Sequence, residues 1–228
     1  MKNYLIIGGS SGIGRALATN LCHEHNVYAS FFKNEVSDST INYFSYQTNS
    51  EFPIDALPET IDGIAYCVGA INLKPFHRIT EEDYINDYKL QVLGAVKVIQ
   101  SVLPRLKAAQ NASIVLFSTV AVQTGFTFHS LVSASKGAIE GLTRSLAAEL
   151  APKIRVNCIA PSITNTPLAQ PLLNTPEKIE ASAQRHPLNR IGSPEDAAEL
   201  AAFLLSDKSS WITGQVFKLD GGISSIKK

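Results

Sequence analysis

Short apolar runs alternate along this chain with stretches in which apolar residues return every three or four positions. Runs at Tyr4–Ile7, Val27–Phe32, Tyr43–Tyr46, Gly63–Val68, Ser113–Phe117, Arg155–Ile159 and Gln215–Leu219 are expected to be strands. Several are apolar at consecutive positions, as strands covered on both faces should be. Helical patterns lie between them. From about Ser130 to Leu150, the residues Leu131, Ala138, Leu142, Leu146 and Leu150 recur at near-helical spacing. Another helix is expected from Thr80, a cap residue followed by Glu81, Glu82 and Asp83, which suit the positive end of a helix. A third is expected from Ser193, with Pro194 at its first position and Asp196 three residues after the cap. Strand, helix and strand repeated in this way predict an α/β fold. The expected form is a single doubly wound domain over residues 1–228, with a parallel sheet of about seven strands and helices on both faces.

Composition narrows the function classes. At 228 residues and 45% hydrophobic, the chain can bury a full core. Lysine plus arginine balances aspartate plus glutamate, 20 against 20, with no basic run, so neither nucleic acid nor a membrane surface is an expected partner. Apolar runs such as Ile114–Phe117 are far too short to span a bilayer. The opening MKNYLIIGGSSG has no signal-peptide pattern, and Cys22, Cys67 and Cys158 are odd in number and widely spaced. A reduced, cytoplasmic setting is expected. The cluster Cys22-His23-Glu24-His25 reads as the polar end of a helix, and no metal is expected, because no second ligand pair stands at zinc-site spacing.

The candidate chemistry begins where the first strand ends. Tyr4–Ile7 runs directly into Gly8-Gly9-Ser10-Ser11-Gly12-Ile13-Gly14, and a helical pattern opens at Arg15. A glycine turn between strand and helix brings backbone N–H groups up to a pyrophosphate, and the helix N-terminus adds its partial positive charge. The G-x-x-x-G-x-G spacing resembles that of the short-chain dehydrogenase/reductases, a Rossmann-fold family. The likeness continues through LKPFHRITEEDY at 73–84 and ASIVLFSTVA at 112–121. It resumes in SASKGAIEGLTRSLAAELAPKIRVNCIAPSITNTPL at 133–168 and RIGSPEDAAELAAFLLSDKSSWITGQVFKLDGG at 190–222.

The resemblance implies a nicotinamide cofactor. Gly8, Ser10, Ser11, Gly12, Ile13 and Gly14 would cradle it, Val68, Gly69 and Pro161 would also bind it, and Ile163 and Thr166 would meet its carboxamide and diphosphate. The second strand ends Ser30-Phe31-Phe32-Lys33-Asn34, with no acid before Glu35. Lys33 at that place favours the 2′-phosphate of NADP(H) over the ribose hydroxyls of NAD(H).

The family's reductases use a tyrosine as general acid, a lysine four residues later, a serine thirteen residues before the tyrosine, and an asparagine on the preceding long helix. Carried over position by position, the lysine is Lys136, expected to serve both cofactor ribose and catalysis. The serine is Thr119, with Ser118 beside it, and the asparagine is Gln91. The tyrosine position is Val132, which can neither give nor take a proton. Other marks also drift. Ile7 replaces a threonine, Gln47 the adenine-side aspartate, and Tyr66-Cys67-Val68-Gly69 the Asn-Asn-Ala-Gly run. The third helix, between Asn49 and Asp62, is nearly absent.

One spacing offers a substitute acid. His129 stands seven residues before Lys136, on the helix face of Val132, as the tyrosine of enoyl-thioester reductases does in Y-x-x-M-x-x-x-K. Tyr84 and Tyr88 are expected to be core or interface aromatics, Trp211 a packing residue, and His186 a loop-surface residue. Segment 167–190 is expected to cover a small-molecule substrate. The reading is an NADP(H)-dependent oxidoreductase for a carbonyl or activated C=C compound, with an altered site. Its rival is a catalytically silent dinucleotide-binding protein. The resemblance implies a homo-tetramer or homo-dimer formed through the long helices, about 81–107 and 130–150, and the C-terminal end; apolar positions on more than one helix face, Val96, Ile99 and Leu142 among them, fit it.

Overall fold

The computed structural model describes every residue except Asn34, Glu35, Ser37 and Lys228. The cofactor argument from Asn34 and Glu35 therefore falls outside the described residues. Seven strands, β1 (Asn3–Ile7), β2 (Asn26–Phe31), β3 (Asn42–Ser45), β4 (Gly63–Tyr66), β5 (Ala112–Phe117), β6 (Ile154–Pro161) and β7 (Val216–Leu219), form one sheet in the order β3-β2-β1-β4-β5-β6-β7. Every neighbouring pair is parallel.

Alternate residues of one strand enter two different cores, as the two-residue period of a strand requires. Leu5 and Ile7 of β1 pack with α3 (Gly94–Ala108) and, following the short α4 (Ala121–Thr124) in the chain, with α5 (Ser130–Leu150), through Val98, Val102 and Ile139. Tyr4 and Ile6 pack on the other face with α1 (Gly12–Leu21) and α7 (Pro194–Leu205), through Leu17, Ala201 and Leu204. Both helix starts read from capping residues have the full reciprocal cap: Thr80 with Asp83 at α2 (Glu81–Tyr88), and Ser193 with Asp196 at α7. Between Asn49 and Asp62 only a three-residue turn, Ile54–Ala56, is helical.

Three features bear on the site. β1 pairs with β2 on one side and β4 on the other, so the strand order reverses there and leaves a crevice at the carboxyl ends of the strands. A π-helical turn, Lys89–Leu93, joins α2 to α3. The Tyr66 hydroxyl donates to the Leu90 carbonyl (2.7 Å), and a Cβ at position 94 would lie 2.2 Å from that hydroxyl, which is why glycine stands there. Segment 167–190 contains a 3-10 turn, Pro167–Leu172, and helix α6 (Pro176–Gln184).

Some placements differ from expectation. Trp211 is not a packing residue: it is 99% exposed. Tyr88 is exposed and Ile99 is buried in this chain's own core. No described helix is long and apolar enough to cross a membrane.

Candidate active site at the crevice between β1 and β4

The glycine turn is the tightest part of the crevice. Gly8 and Gly12 have φ of +83° and +52°, the left-handed region that favours glycine. A Cβ on Gly14 would meet the Gly8 carbonyl oxygen at 2.2 Å, so α1 can start this close to β1 only with a bare position there. Ser30 of β2 braces the turn: the Gly8 N–H donates to Ser30 Oγ (2.9 Å) and the Gly9 N–H to the Ser30 carbonyl (2.9 Å). Ser11, the N-cap of α1, makes no side-chain capping bond. The positive end of α1 is therefore open to an anion, and the cradle fits a pyrophosphate.

Two cavities meet along the crevice. One, of about 490 Å³, is lined by Gly8, Ser10, Ser11, Gly12, Lys33 and Gln47, among others. The other, of about 440 Å³, is lined by Gln91, Thr119, His129, Val132 and Lys136, with Pro161 and Ile163. Ile13, Val68, Gly69 and Thr166 line both, so the two are halves of one cleft. Of the candidate cofactor-binding and catalytic residues, Gly14 alone lines neither half, and its part is the close packing just described.

Lys136 projects from α5 and is 8% exposed, its Nζ donating to the Phe117 carbonyl at the end of β5 (2.9 Å). Burial pushes its ammonium down to about 8. The neighbouring thiols of Cys158 and Cys67 are pushed up to about 12 by the same cause, so they are uncharged near neutral pH. The anion that bears on Lys136 is then Asp87.

Asp87 was not singled out from the sequence. It is buried on α2, one turn before Gln91, and Gln91 Nε2 donates to its Oδ2 (2.7 Å). A carboxylate only accepts, so it fixes which way the Gln91 amide turns. Gln91 Oε1 and Asp87 Oδ1 are both buried with no hydrogen-bond partner among the described residues. A side chain at Gly69 would lie 3.4 Å from Gln91 Oε1 and 3.6 Å from Lys136 Nζ, so the amide oxygen and the ammonium face the same space. The signal for Asp87 was its i, i+4 relation to Gln91.

Thr119 and Ser118 divide their work. Ser118 is buried and donates to Glu140 Oε1 (2.8 Å), which also accepts from Gln123 Nε2 (2.8 Å). Thr119 Oγ1 accepts from the Ala121 N–H (3.3 Å) and lines the cavity of Lys136. Val132 is 5% exposed and lines the cavity one turn before Lys136. His129 is the N-cap of α5 and is half-buried at the same wall. Its Nδ1 lies 2.8 Å from the Thr127 carbonyl, a contact that requires Nδ1–H, so Nε2 is the nitrogen left to exchange a proton.

His186 is not a loop-surface residue. It is 3% exposed, with Nδ1 at 2.7 Å from the Ser182 carbonyl and Nε2 at 2.8 Å from Ser162 Oγ. Ser162, Ser182 and His186 all line the cavity of Lys136. The partners come from β6's exit and from the end of α6, so no local spacing announces them.

A family model described as enoyl-(acyl carrier protein) reductase matches residues 52–224. A tropinone reductase homolog of Arabidopsis thaliana is 34% identical over 243 residues, covering 98% of this chain and 92% of its own. The solved structure of a short chain dehydrogenase family protein from Francisella tularensis is 30% identical, with a TM-score of 0.90 over 99% of this chain and 100% of that one. A structure of ElxO with NADP bound is 26% identical, with a TM-score of 0.88 and 99% of each chain covered. Sequence and fold agree over the whole length, and the protein belongs to the short-chain dehydrogenase/reductase family of NAD(P)-dependent oxidoreductases.

Proposed function

We propose that this chain is an NADP(H)-dependent reductase of small carbonyl or activated C=C compounds, working without a tyrosine at position 132. The observation that carries the reading is the convergence of Lys136, Gln91 and Thr119 on one cavity beside the glycine cradle, with Val132 buried among them. The family model described as an enoyl-(acyl carrier protein) reductase and the tropinone reductase homolog of Arabidopsis thaliana are named for the two acceptor classes.

When bound, the nicotinamide supplies a hydride to the acceptor carbon. Thr119 holds the acceptor oxygen through its hydroxyl. The Lys136 ammonium bonds the ribose and stabilises negative charge as it grows on that oxygen. Gln91, turned by Asp87, holds a donor such as water between itself and Lys136. His129 is a protonatable group on the cavity wall, with Nε2 available to a substrate oxygen. Segment 167–190 covers the substrate, through Leu168, Ala169, Leu172 and Arg185 on the lining.

Lys33 supports NADP(H), because it lines the half of the cleft that holds Gly12 and Gln47. NADPH should bind more tightly than NADH, and Lys33→Ala should narrow the gap by roughly tenfold, the scale of one charge-assisted phosphate contact. Fluorescence titration showing equal or tighter NADH binding in the unmodified protein refutes this preference. Turnover of NADPH with a panel of aldehydes, ketones and enones tests the reductase itself. The buried Val132 favours a second reading, a silent dinucleotide sensor, and tight NADPH binding with no acceptor turned over selects it. We also propose a homo-oligomer, dimer or tetramer, in which the exposed Trp211 and the partly exposed Phe203 are covered. A monomer in sedimentation at micromolar concentration overturns that assembly.

A further inference from the structure

We infer that Ser162, backed by His186, is the group that delivers the proton to the reduced substrate in place of the missing tyrosine. The inference rests on the reductase reading and adds to it a donor that lies outside α5.

The geometry is that of a hydroxyl held by an oriented imidazole. The Ser182 carbonyl only accepts, so His186 Nδ1 carries hydrogen in both protonation states. That leaves Nε2, 2.8 Å from Ser162 Oγ, as the nitrogen that gains or loses a proton. The neutral ring accepts from the Ser162 hydroxyl. The charged ring donates to Ser162 Oγ, and the hydroxyl proton is then free to turn into the cavity. Ser162 follows Pro161 at the end of β6 and lines the cavity of Lys136 and Thr119. The ring itself is 3% exposed, whereas His129 is half-buried and its Nε2 has no oriented partner among the described residues.

The step balances. Hydride addition leaves the acceptor oxygen with one negative charge, as alkoxide or enolate. The Ser162 O–H bond breaks and a substrate O–H bond forms. In the same movement the Nε2–H bond of the imidazolium breaks and Ser162 regains its hydrogen. His186 ends neutral and is recharged from solvent before the next turnover.

Charged groups face His186 from several sides. Arg185 precedes it, with its guanidinium over the Phe126 ring (5.6 Å). Behind it, a small cavity is shared with Asp220 and with the Arg190–Asp196 pair (2.7 Å). Lys136 stands on the wall of the main cavity.

The test uses the full chain and reads two independent quantities. In the first, nuclear magnetic resonance follows the His186 ring against pH without cofactor. The neutral ring should hold its hydrogen on Nδ1, with exchange confined to Nε2. A neutral ring that carries its hydrogen on Nε2 overturns the inference. In the second, Ser162→Ala should lower kcat for NADPH-dependent reduction by about 10²–10⁴-fold, the usual weight of general acid assistance. NADPH affinity should be unchanged and the His-dependent limb of the pH profile should vanish. Ser162→Thr, which keeps the hydroxyl, should retain that limb, and it serves as the second variant if the alanine protein folds poorly. A Ser162→Ala enzyme with the rate and pH profile of the unmodified one overturns the inference while leaving the reductase reading intact. So does a loss of rate confined to His129→Ala. An unmodified protein that turns over no acceptor ends both.

Discussion

Val132→Tyr, placed in a chain that also carries Ser162→Ala, should recover most of the carbonyl reduction that the alanine removes, on the order of 10²–10⁴-fold. Position 132 lines the cavity one helical turn before Lys136, so a phenol there enters the same space as the ammonium. The buried ammonium lowers the phenol's pKa and makes it an effective acid near neutral pH. In the unmodified background the gain should be smaller, because a donor is already at work. Steady-state rates of the single and double variants close a cycle. Additive effects would mean that position 132 and Ser162 do not serve the same proton transfer.

Lys136→Met should lower kcat for reduction by about 10²–10³-fold, as removal of one fixed donor at a developing oxyanion does elsewhere. The pH dependence carries a sign. Burial holds the Lys136 ammonium at about 8, so reduction should decline as the pH rises through that value and the charge is lost. Lys136→Arg keeps its charge throughout and should remove that limb, even if its bulkier fork lowers the rate. The same group acts on stability in the opposite direction. The folded chain binds fewer protons than the unfolded chain between about 8 and the ordinary 10.5. Stability without cofactor should therefore rise across that window, by an amount on the order of 3 kcal/mol. A denaturation midpoint that does not move between pH 8 and 10, or moves the same way in Lys136→Met, contradicts this account of the lysine.

The repeating plan of the fold was legible because buried parallel strands leave apolar runs and their helices carry strong caps. The strand ends were less so. β4 stops at Tyr66, not Val68: the Cys67 N–H still bonds the Ile7 carbonyl (2.8 Å), but the chain then leaves the sheet to line the crevice. Helix α6 was not anticipated, although Thr175 before Pro176 repeats the Ser193-Pro194 start of α7. At the site, the glycine turn, Lys136, Thr119, Gln91 and Val132 all sit in or beside recognisable runs, and the fold brings them to one cleft. The sequence placed Ser118 only beside Thr119; that its hydroxyl is engaged by Glu140, which reaches across from α5 to accept from it, had no local signal. It missed the Ser162–His186 pair because two segments far apart in the chain fold together to make it. Trp211 was misjudged because its matched surroundings say nothing of which side of the loop meets solvent.

The most direct test of the central claim follows a label. Unmodified protein is incubated with NADPH deuterated at the transferable C4 position and with a mixture of ketones, aldehydes and enones, and the products are read by mass spectrometry. Hydride transfer at a site without tyrosine predicts one deuterium on carbon in at least one product, and its loss in Lys136→Met. Saturating NADPH binding with no acceptor labelled would contradict the account and leave a dinucleotide-binding protein in its place.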